Sequence, residues 1–268
     1  MEDKSIDHTS AELAGWPKPL ERLRQALDND EFALYCQPIA ALSEGAESAN
    51  RLPLAEVLVR MREEERALLP PGEFLPVFEH YGMMPELDRW VVRHTIRHLK
   101  SGSRIPCFMI NTSTQTLKDA QFPSFVAGEL RAANLPMDAV LLEIDESDAL
   151  AQPKLAAAYA AAVHKFGGGV VIDGFCRRAV SFAPFKELRP RYVKVDGVVT
   201  RKLLTSEAAQ TKMQAVVQVA EMMEIGVIAE CVEDQHLLAG LKVLGVGYAQ
   251  GFGIFQPQPI ESVASVKF

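Results

Sequence analysis

Short apolar runs alternate with longer amphipathic segments along most of this chain. Segments with helical spacing cover residues 17–28, 74–99, 122–133, 154–166, 208–223 and 235–244. The second of these is expected to form two helices, because Gly82 and Pro85 interrupt it. Apolar runs typical of buried strands cover residues 32–39, 52–60, 107–110, 140–144, 170–173, 192–195, 227–230 and 248–250. This alternation is typical of parallel strands joined by helical crossovers. About eight such units in one chain of 268 residues predict an α/β fold, a closed TIM-like (β/α)8 barrel.

The first two strands differ from the others because only a turn separates them. Residues 41–51 are rich in Ser, Glu, Ala and Asn and have no helical spacing, so we expect a hairpin-type first strand pair at the N-terminal side of the barrel. Residues 1–17 are polar and are expected to form a flexible lead-in. We expect residues 18–268 to form a single barrel domain.

Charge and cysteine content limit the possible partners and the possible compartment of the protein. The net charge of −7 argues against binding a nucleic-acid polymer, which requires a basic track. The four cysteines form no CxxC pair, which favours free thiols in a reducing cytoplasm. The N-terminus has neither the basic nor the apolar region of a signal peptide, and no apolar run is long enough to span a membrane. We therefore expect a cytoplasmic protein.

Polar residues stand where the predicted strands end. In a barrel of this kind the chemistry lies at the C-terminal ends of the strands. Any one of these residues could simply cap a strand, but together their carboxylates and amides form a set of oxygen donors that suits Mg²⁺ or Mn²⁺. The residues are Glu56, Asn111, Glu143, Asp173, Lys194, Glu230 and Gln250.

Short motifs in a consistent order resemble the EAL domain family of cyclic di-GMP phosphodiesterases over residues 18–262. The Glu-Ala-Leu signature of that family is matched by Glu56-Val57-Leu58, and its Tyr-Gln-Pro-Ile by Cys36-Gln37-Pro38-Ile39. Further matches are Ile110-Asn111-Thr112-Ser113, Leu142-Glu143-Ile144-Asp145-Glu146-Ser147, Val193-Lys194-Val195-Asp196, Ala229-Glu230-Cys231-Val232-Glu233 and Ala249-Gln250-Gly251-Phe252.

The resemblance implies a role for each matching residue. Glu230 and Lys194 would be the catalytic residues that serve the attacking water, and Glu146 would brace the loop after residue 173. The metal ligands would be Glu56, Asn111, Glu143 and Asp173. The nucleotide-binding positions would be Gln37, Leu58, Arg60 and Gln250.

The loop after residue 173 departs from the family pattern. The family reads Asp-Asp-Phe-Gly-Thr-Gly there, whereas this chain reads Asp173-Gly174-Phe175-Cys176-Arg177-Arg178. Gly174 has no side-chain oxygen for a second ion, so we expect one Mg²⁺ or Mn²⁺ rather than two. Asp145 shares a strand face with Glu143 and could compensate for the missing carboxylate, as could Asp196. The arginines after Cys176 could pair with Glu146, or they could face solvent or a dimer partner.

Three functions are consistent with this pattern. The first is a cyclic di-GMP-binding domain in bacterial second-messenger signalling, with weak or absent hydrolysis. The second is an active metal-dependent phosphodiesterase that produces pGpG. The third is a protein-interaction module on the same scaffold that no longer uses the nucleotide. The sequence leaves open whether the chain is an enzyme. A homodimer and a protein effector are the protein partners that we expect.

Overall fold

A closed barrel of eight strands forms the centre of the protein. The computed structural model describes residues 15–42, 52–62 and 68–265, so residues 1–14 of the expected lead-in lie outside the described residues. The strands are β1 (Phe32–Ala41), β2 (Leu54–Met61), β3 (Cys107–Asn111), β4 (Val140–Asp145), β5 (Gly169–Phe175), β6 (Tyr192–Val195), β7 (Gly226–Ala229) and β8 (Tyr248–Ala249).

Strand order confirms the predicted barrel and its N-terminal hairpin. Strands β2 to β8 are parallel neighbours in chain order. Strand β1 closes the barrel by pairing antiparallel with both β2 and β8. A short strand that was not predicted, β9 (Gln258–Pro259), pairs with β1 beyond the end of β8.

Helices surround the barrel and join its strands. The two predicted pieces within residues 74–99 are confirmed, since one helix ends at His80 and the next begins at Met84. The helices are α1 (Pro19–Asp28), α2 (Pro71–His80), α3 (Met84–Lys100), α4 (Thr114–Leu117), α5 (Phe122–Ala132), α6 (Glu146–Ala151), α7 (Pro153–Lys165), α8 (Ala183–Leu188), α9 (Gly197–Thr200), α10 (Glu207–Met222) and α11 (Gln235–Val243).

Side chains fill the inside of the barrel, so the barrel is a packed core and not a pore. Alternate residues of a strand point to opposite faces, and the inward-facing apolar residues form one buried layer. Cys107, Tyr192 and Tyr248 pack against this layer. The layer consists of Ile39, Leu54, Met109, Leu141, Val171 and Ile228.

A larger apolar core lies between the outside of the barrel and the helices. The outward face of β1 contributes Phe32, whose ring lies 5.9 Å from those of Phe74 and Phe78 and 5.3 Å from that of Trp90. These four rings join the hairpin to helices α2 and α3. Because buried aromatic side chains contribute a large apolar area, this contact fixes the position of the hairpin relative to the helices.

The hairpin extends beyond the rim of the barrel. Pairing between β2 and β3 ends at Val57 and Ile110, whereas pairing between β1 and β2 continues to Phe32 and Met61. The last four residues of β2 therefore stand above the carboxyl ends of the other strands. They form a wall on one side of the opening.

An irregularity in β5 lies at the same rim. The register between β5 and β6 shifts between Ile172 and Phe175, and Gly174 has a φ of +66°. Glycine adopts this left-handed conformation at little cost, because it has no Cβ. The shift places Asp173 and Gly174 between two regular pairs of the ladder, Ile172 with Val193 and Phe175 with Val195.

No helix among the described residues is long and apolar enough to cross a membrane. The short helices α4, α6, α8 and α9 were not predicted from the sequence. Each has four to six residues, which is too short for a 3.6-residue period to repeat.

Asp88 links helix α3 to the loop that follows Asn111. Its carboxylate is buried and accepts hydrogen bonds from the Ser113 N–H (3.1 Å), the Ser113 hydroxyl (2.9 Å) and the Thr116 hydroxyl (2.6 Å). Ser113 in turn accepts a hydrogen bond from the Thr116 N–H and caps α4. Asp88 therefore positions the segment that follows the end of β3.

Replacing Asp88 by Ala would deprive the buried Thr116 hydroxyl and the half-buried Ser113 donors of this acceptor. We expect Asp88→Ala to lower the free energy of unfolding by about 2–4 kcal/mol, since each unsatisfied buried group costs about 1–3 kcal/mol. Urea denaturation would measure this loss. Glu86→Ala, at an exposed position of the same helix, is the control. An equal effect of the two substitutions would contradict the role of Asp88.

Candidate functional site

A buried lysine lies at the centre of a group of acidic residues at the carboxyl end of the barrel. Lys194 points into the barrel from β6, and its side chain is 1% exposed. Its Nζ lies 2.9 Å from Glu56 Oε2, 3.1 Å from Glu143 Oε2, 3.2 Å from Asp173 Oδ1 and 3.3 Å from Glu230 Oε1. The structure thus brings together residues from strands β2, β4, β5 and β6 and from the residue after β7.

Amide side chains complete this cluster. Asn111 Nδ2 donates to Glu56 Oε1 (3.1 Å), and Gln250 Nε2 donates to Glu56 Oε2 (2.7 Å). Gln250 Nε2 also lies 3.1 Å from Gln37 Oε1, and Gln37 Nε2 donates to the carbonyl of Phe255 (2.8 Å). Lys194, Asn111 and Gln250 therefore orient Glu56 from three sides. The hydrogen bond from Gln37 to Phe255 joins the loop between β8 and β9 to the hairpin.

Burial and mutual repulsion shift the pKa values of this cluster. Burial, reinforced by the charges of Glu56 and Asp173, raises the pKa of Glu143 well above its ordinary value. Burial also raises the pKa of Glu230 to about 7. Burial alone would lower the pKa of Lys194, but the surrounding carboxylates together have the larger effect and raise this pKa. Lys194 therefore stays protonated, with more negative than positive charge around it.

The oxygen donors of this cluster are of the kind that divalent ions such as Mg²⁺ bind. Four carboxylates face one ammonium group, so a further cation would lower the repulsion among them. Within the described part of the chain, the buried Oε1 atoms of Glu143 and Gln250 have no hydrogen-bond partner. The acidic side chains turn toward Lys194, and no three His, Cys, Asp or Glu side chains of the described residues form a ready coordination shell. Binding an ion would require these carboxylates to rotate.

The hairpin wall places further polar groups above the cluster. Glu56, Leu58 and Arg60 lie on one face of β2, because they alternate along the strand, and Gln37 is paired opposite Glu56. At about 3.3 Å per residue, Arg60 lies about 13 Å beyond Glu56. The Arg60 guanidinium stands 5.6 Å from the centre of the Tyr35 ring, and its Nη1 donates to the Val59 carbonyl (2.9 Å).

A cleft of about 200 Å³ opens beside this wall. Glu56, Glu230, Gln37 and Gln250 line it, and Phe252 stands at its edge. Phe252 is 67% exposed, so the loop between β8 and β9 presents an aromatic ring to solvent next to the carboxylates.

Glu146 contacts the irregular loop through the main chain. Its Oε2 accepts a hydrogen bond from the Cys176 N–H (3.1 Å). Burial raises the pKa of Glu146 to about 7, against an ordinary value of 4.5. The sequence left a salt bridge from Glu146 to an arginine of this loop open, but the hydrogen bond found here is to a backbone amide.

The two carboxylates considered as compensating ligands are engaged elsewhere. Asp145 Oδ1 accepts from the Ser147 N–H (2.7 Å) and caps α6, while Asp196 Oδ1 accepts from the Val198 N–H (2.7 Å) and caps α9. The second oxygen of each contacts Arg177. Neither residue belongs to the group of carboxylates within 3.3 Å of Lys194.

Sequence reasoning missed the roles of Arg177 and Asp88. The acceptors of Arg177 lie at positions 145 and 196, and the donors to Asp88 lie at positions 113 and 116, so no short motif joins them. The helix caps were recognisable, because an Asp two residues before a backbone donor is a common local pattern.

Lys194→Met would test how much the cluster depends on its central cation. We expect a loss of about 3–5 kcal/mol in the free energy of unfolding, because the buried carboxylates lose their counter-ion. Mn²⁺ should restore part of this loss, since a divalent ion would neutralise the same carboxylates. Denaturation with EDTA and with Mn²⁺ measures both effects, and Lys202→Met, at an exposed position, is the control. An identical loss in EDTA and in Mn²⁺ would argue against ion binding here.

Glu146→Gln would change how stability depends on pH. Because the folded protein raises the pKa of this carboxyl, its contribution to stability is greatest below pH 4.5 and falls until about pH 7. Glutamine can still accept the Cys176 hydrogen bond but does not ionise. We expect the difference in unfolding free energy between variant and wild type to grow in favour of the variant across this range. Glu187→Gln, at an exposed position, should show no such trend; a flat difference for Glu146→Gln would refute the shift.

Two named bacterial proteins are similar to this chain in sequence. The chain is 30% identical over 249 residues to the cyclic di-GMP phosphodiesterase PdeB of Shewanella oneidensis. It is 28% identical over 263 residues to the cyclic di-GMP phosphodiesterase PdeF of Escherichia coli. These matches cover 92% and 97% of this chain but only 29% and 34% of the relatives. The chain thus spans about a third of the length of these relatives.

Solved structures share the fold. The FimX EAL domain of Pseudomonas aeruginosa bound to c-di-GMP is 26% identical, with a TM-score of 0.78 over 90% of this chain and 96% of that one. The PaMucR phosphodiesterase in complex with c-di-GMP is 24% identical, with a TM-score of 0.81 over 92% and 99%; at this identity the likeness shows the TIM-like barrel alone.

The family comparison agrees with the motifs and with the fold. The sequence matches the EAL domain over residues 20–257, which includes every strand from β1 to β8 and the whole cluster around Lys194. The chain belongs to the EAL domain family.

Proposed function

We propose that this EAL domain binds cyclic di-GMP and hydrolyses it weakly or not at all. The observation that carries the proposal is the combination of four carboxylates around Lys194 with a glycine at position 174. The cluster supports binding of a divalent ion and of the phosphates next to it. Gly174 offers no side-chain oxygen, which supports a site for one ion rather than two.

In this proposal the metal ligands are Glu56, Asn111, Glu143 and Asp173. The ion would be Mg²⁺ or Mn²⁺, and when bound it would supply positive charge to a phosphate oxygen. Lys194 would hold a water beside the carboxylates, and Glu230, with its pKa raised to about 7, would accept a proton from that water. Gln250 would keep Glu56 oriented, and Glu146 would brace the loop after β5.

Nucleotide recognition would use the hairpin wall and the cleft beside it. Arg60 would pair with a phosphate, because a guanidinium group matches phosphate oxygens in charge and geometry. Gln37 and Leu58 would line the groove between Arg60 and the carboxylates. The exposed ring of Phe252 would stack on a base, a contact that is worth about 1–3 kcal/mol in other proteins.

An active phosphodiesterase that produces pGpG is the second candidate. The position of Lys194 within 3.3 Å of Glu230, Glu56, Glu143 and Asp173 favours it, because a water held there would have both a cation and a base nearby. An interaction module that has lost the nucleotide is the third candidate. The homodimer and the protein effector stay predictions.

A single reaction would distinguish these functions. Purified protein is mixed with a slight excess of cyclic di-GMP and Mn²⁺, bound and free nucleotides are separated by filtration, and each fraction is identified by chromatography. We expect intact cyclic di-GMP on the protein. Conversion to pGpG within minutes would instead make the domain an active phosphodiesterase. Absence of both binding and conversion would leave the interaction module.

The same assay with Arg60→Ala tests the proposed mode of binding. A hydrogen bond to a charged group contributes about 1.5–3 kcal/mol, so we expect affinity to fall by about tenfold or more. Arg62→Ala is the matched control, because Arg62 lies two residues further on and is exposed. Equal affinities of wild type and Arg60→Ala would exclude Arg60 as a phosphate ligand.

A further inference from the structure

Arg177 lies across the rim of β5 and joins the strands on either side. Its Nε donates to Asp196 Oδ2 (2.7 Å), just after β6, and its Nη1 donates to Asp145 Oδ2 (3.1 Å), at the end of β4. Both carboxylates also cap a helix through their other oxygen. The guanidinium group is therefore held from two sides by side chains that are themselves fixed.

The same guanidinium group fills the space beside Gly174. A Cβ built on Gly174 would overlap the Nη2 atom of Arg177 and would lie 2.8 Å from its Cζ. A longer side chain at this position would thus meet a positive charge before it met anything else. Gly174 and Arg177 are only three residues apart, and the missing side chain of Gly174 leaves the space that the guanidinium group occupies.

The negative charges around Arg177 indicate what this residue does. Asp145 is the register partner of Asp173, and Asp173 contacts Lys194, so the acidic residues continue along the rim from the cluster toward Arg177. A second divalent ion would be one way to neutralise carboxylates at this place. The guanidinium group already neutralises Asp145 and Asp196, and it would repel a divalent ion next to it.

We propose that Arg177 is a built-in cation that excludes a second divalent ion from this end of the barrel. This inference rests on the single-ion site of the proposed function and deepens it, because it names the residue that excludes a second ion with or without a nucleotide. It also predicts that a carboxylate restored at position 174 is insufficient, since that carboxylate would pair with Arg177 and not with an ion.

A double-mutant cycle read out by Mn²⁺ binding tests the proposal. The proteins are wild type, Gly174→Asp, Arg177→Ala and the double variant, with Arg178→Ala as the matched control because Arg178 is exposed and adjacent. Equilibrium dialysis against Mn²⁺ without nucleotide gives the number of ions per chain. Aspartate tolerates the left-handed conformation of residue 174 better than most residues, and thermal unfolding checks that each variant folds.

We expect the double variant to bind one more Mn²⁺ than wild type does. Gly174→Asp alone and Arg178→Ala should bind the same number as wild type. An additional ion in Gly174→Asp alone, with an affinity within threefold of the double variant, would overturn the proposal, because Arg177 would then not exclude it. An unchanged number in the double variant would overturn it too. If the double variant does not fold, Arg177→Gln replaces Arg177→Ala, since it removes the charge and keeps most of the side chain.

Failure of this inference and failure of the proposed function give different results. Wild type that binds no cyclic di-GMP would refute the nucleotide proposal but would leave the ion counts of the cycle interpretable. Wild type that binds the nucleotide, together with an unchanged count in the double variant, would refute only the role of Arg177.

Discussion

The pairing of Lys194 with four carboxylates is the interaction on which the rest of the site depends. An isolated buried charge is costly, and each of these residues would be isolated without the others. The lysine holds Glu56, Glu143, Asp173 and Glu230 within 3.3 Å of one atom. Closure of the barrel makes this possible, since it brings the first half of β2 and the carboxyl ends of β4, β5, β6 and β7 to one opening.

The antiparallel hairpin gives the site its shape. A barrel of parallel strands alone would end at an even rim, but β1 and β2 continue past it and raise one wall. The aromatic contacts of Phe32 with Phe74, Phe78 and Trp90 support that wall from outside. The packing of the outer core therefore determines where Arg60 stands relative to the carboxylates.

The loop after β5 carries its own network of charged and polar contacts. Gly174 offers no side-chain oxygen, the guanidinium group of Arg177 lies beside it, and Asp145 and Asp196 hold that group. Glu146 fixes the loop through the Cys176 amide. In our proposal, the internal salt bridges of Arg177 take the place that a second ion would otherwise occupy.

The sequence by itself determined the barrel, the hairpin and the group of polar residues at the strand ends. Apolar runs and helical spacing are local patterns, and parallel strands have to place their carboxyl ends together. The positions of the two halves of helix 74–99 were also predicted, because Gly and Pro interrupt a helix locally. The short helices were not, since four to six residues carry too little periodic signal.

Only the tertiary structure decided how the polar residues share their contacts. From the sequence, Asp145 and Asp196 were open as substitutes for a lost ligand, and the loop arginines were open as partners of Glu146. The structure joins Asp145 and Asp196 through Arg177 and gives Glu146 a backbone amide. Such pairings depend on which side chains the register and the shift in β5 bring within about 3 Å, and no spacing along the chain specifies that distance.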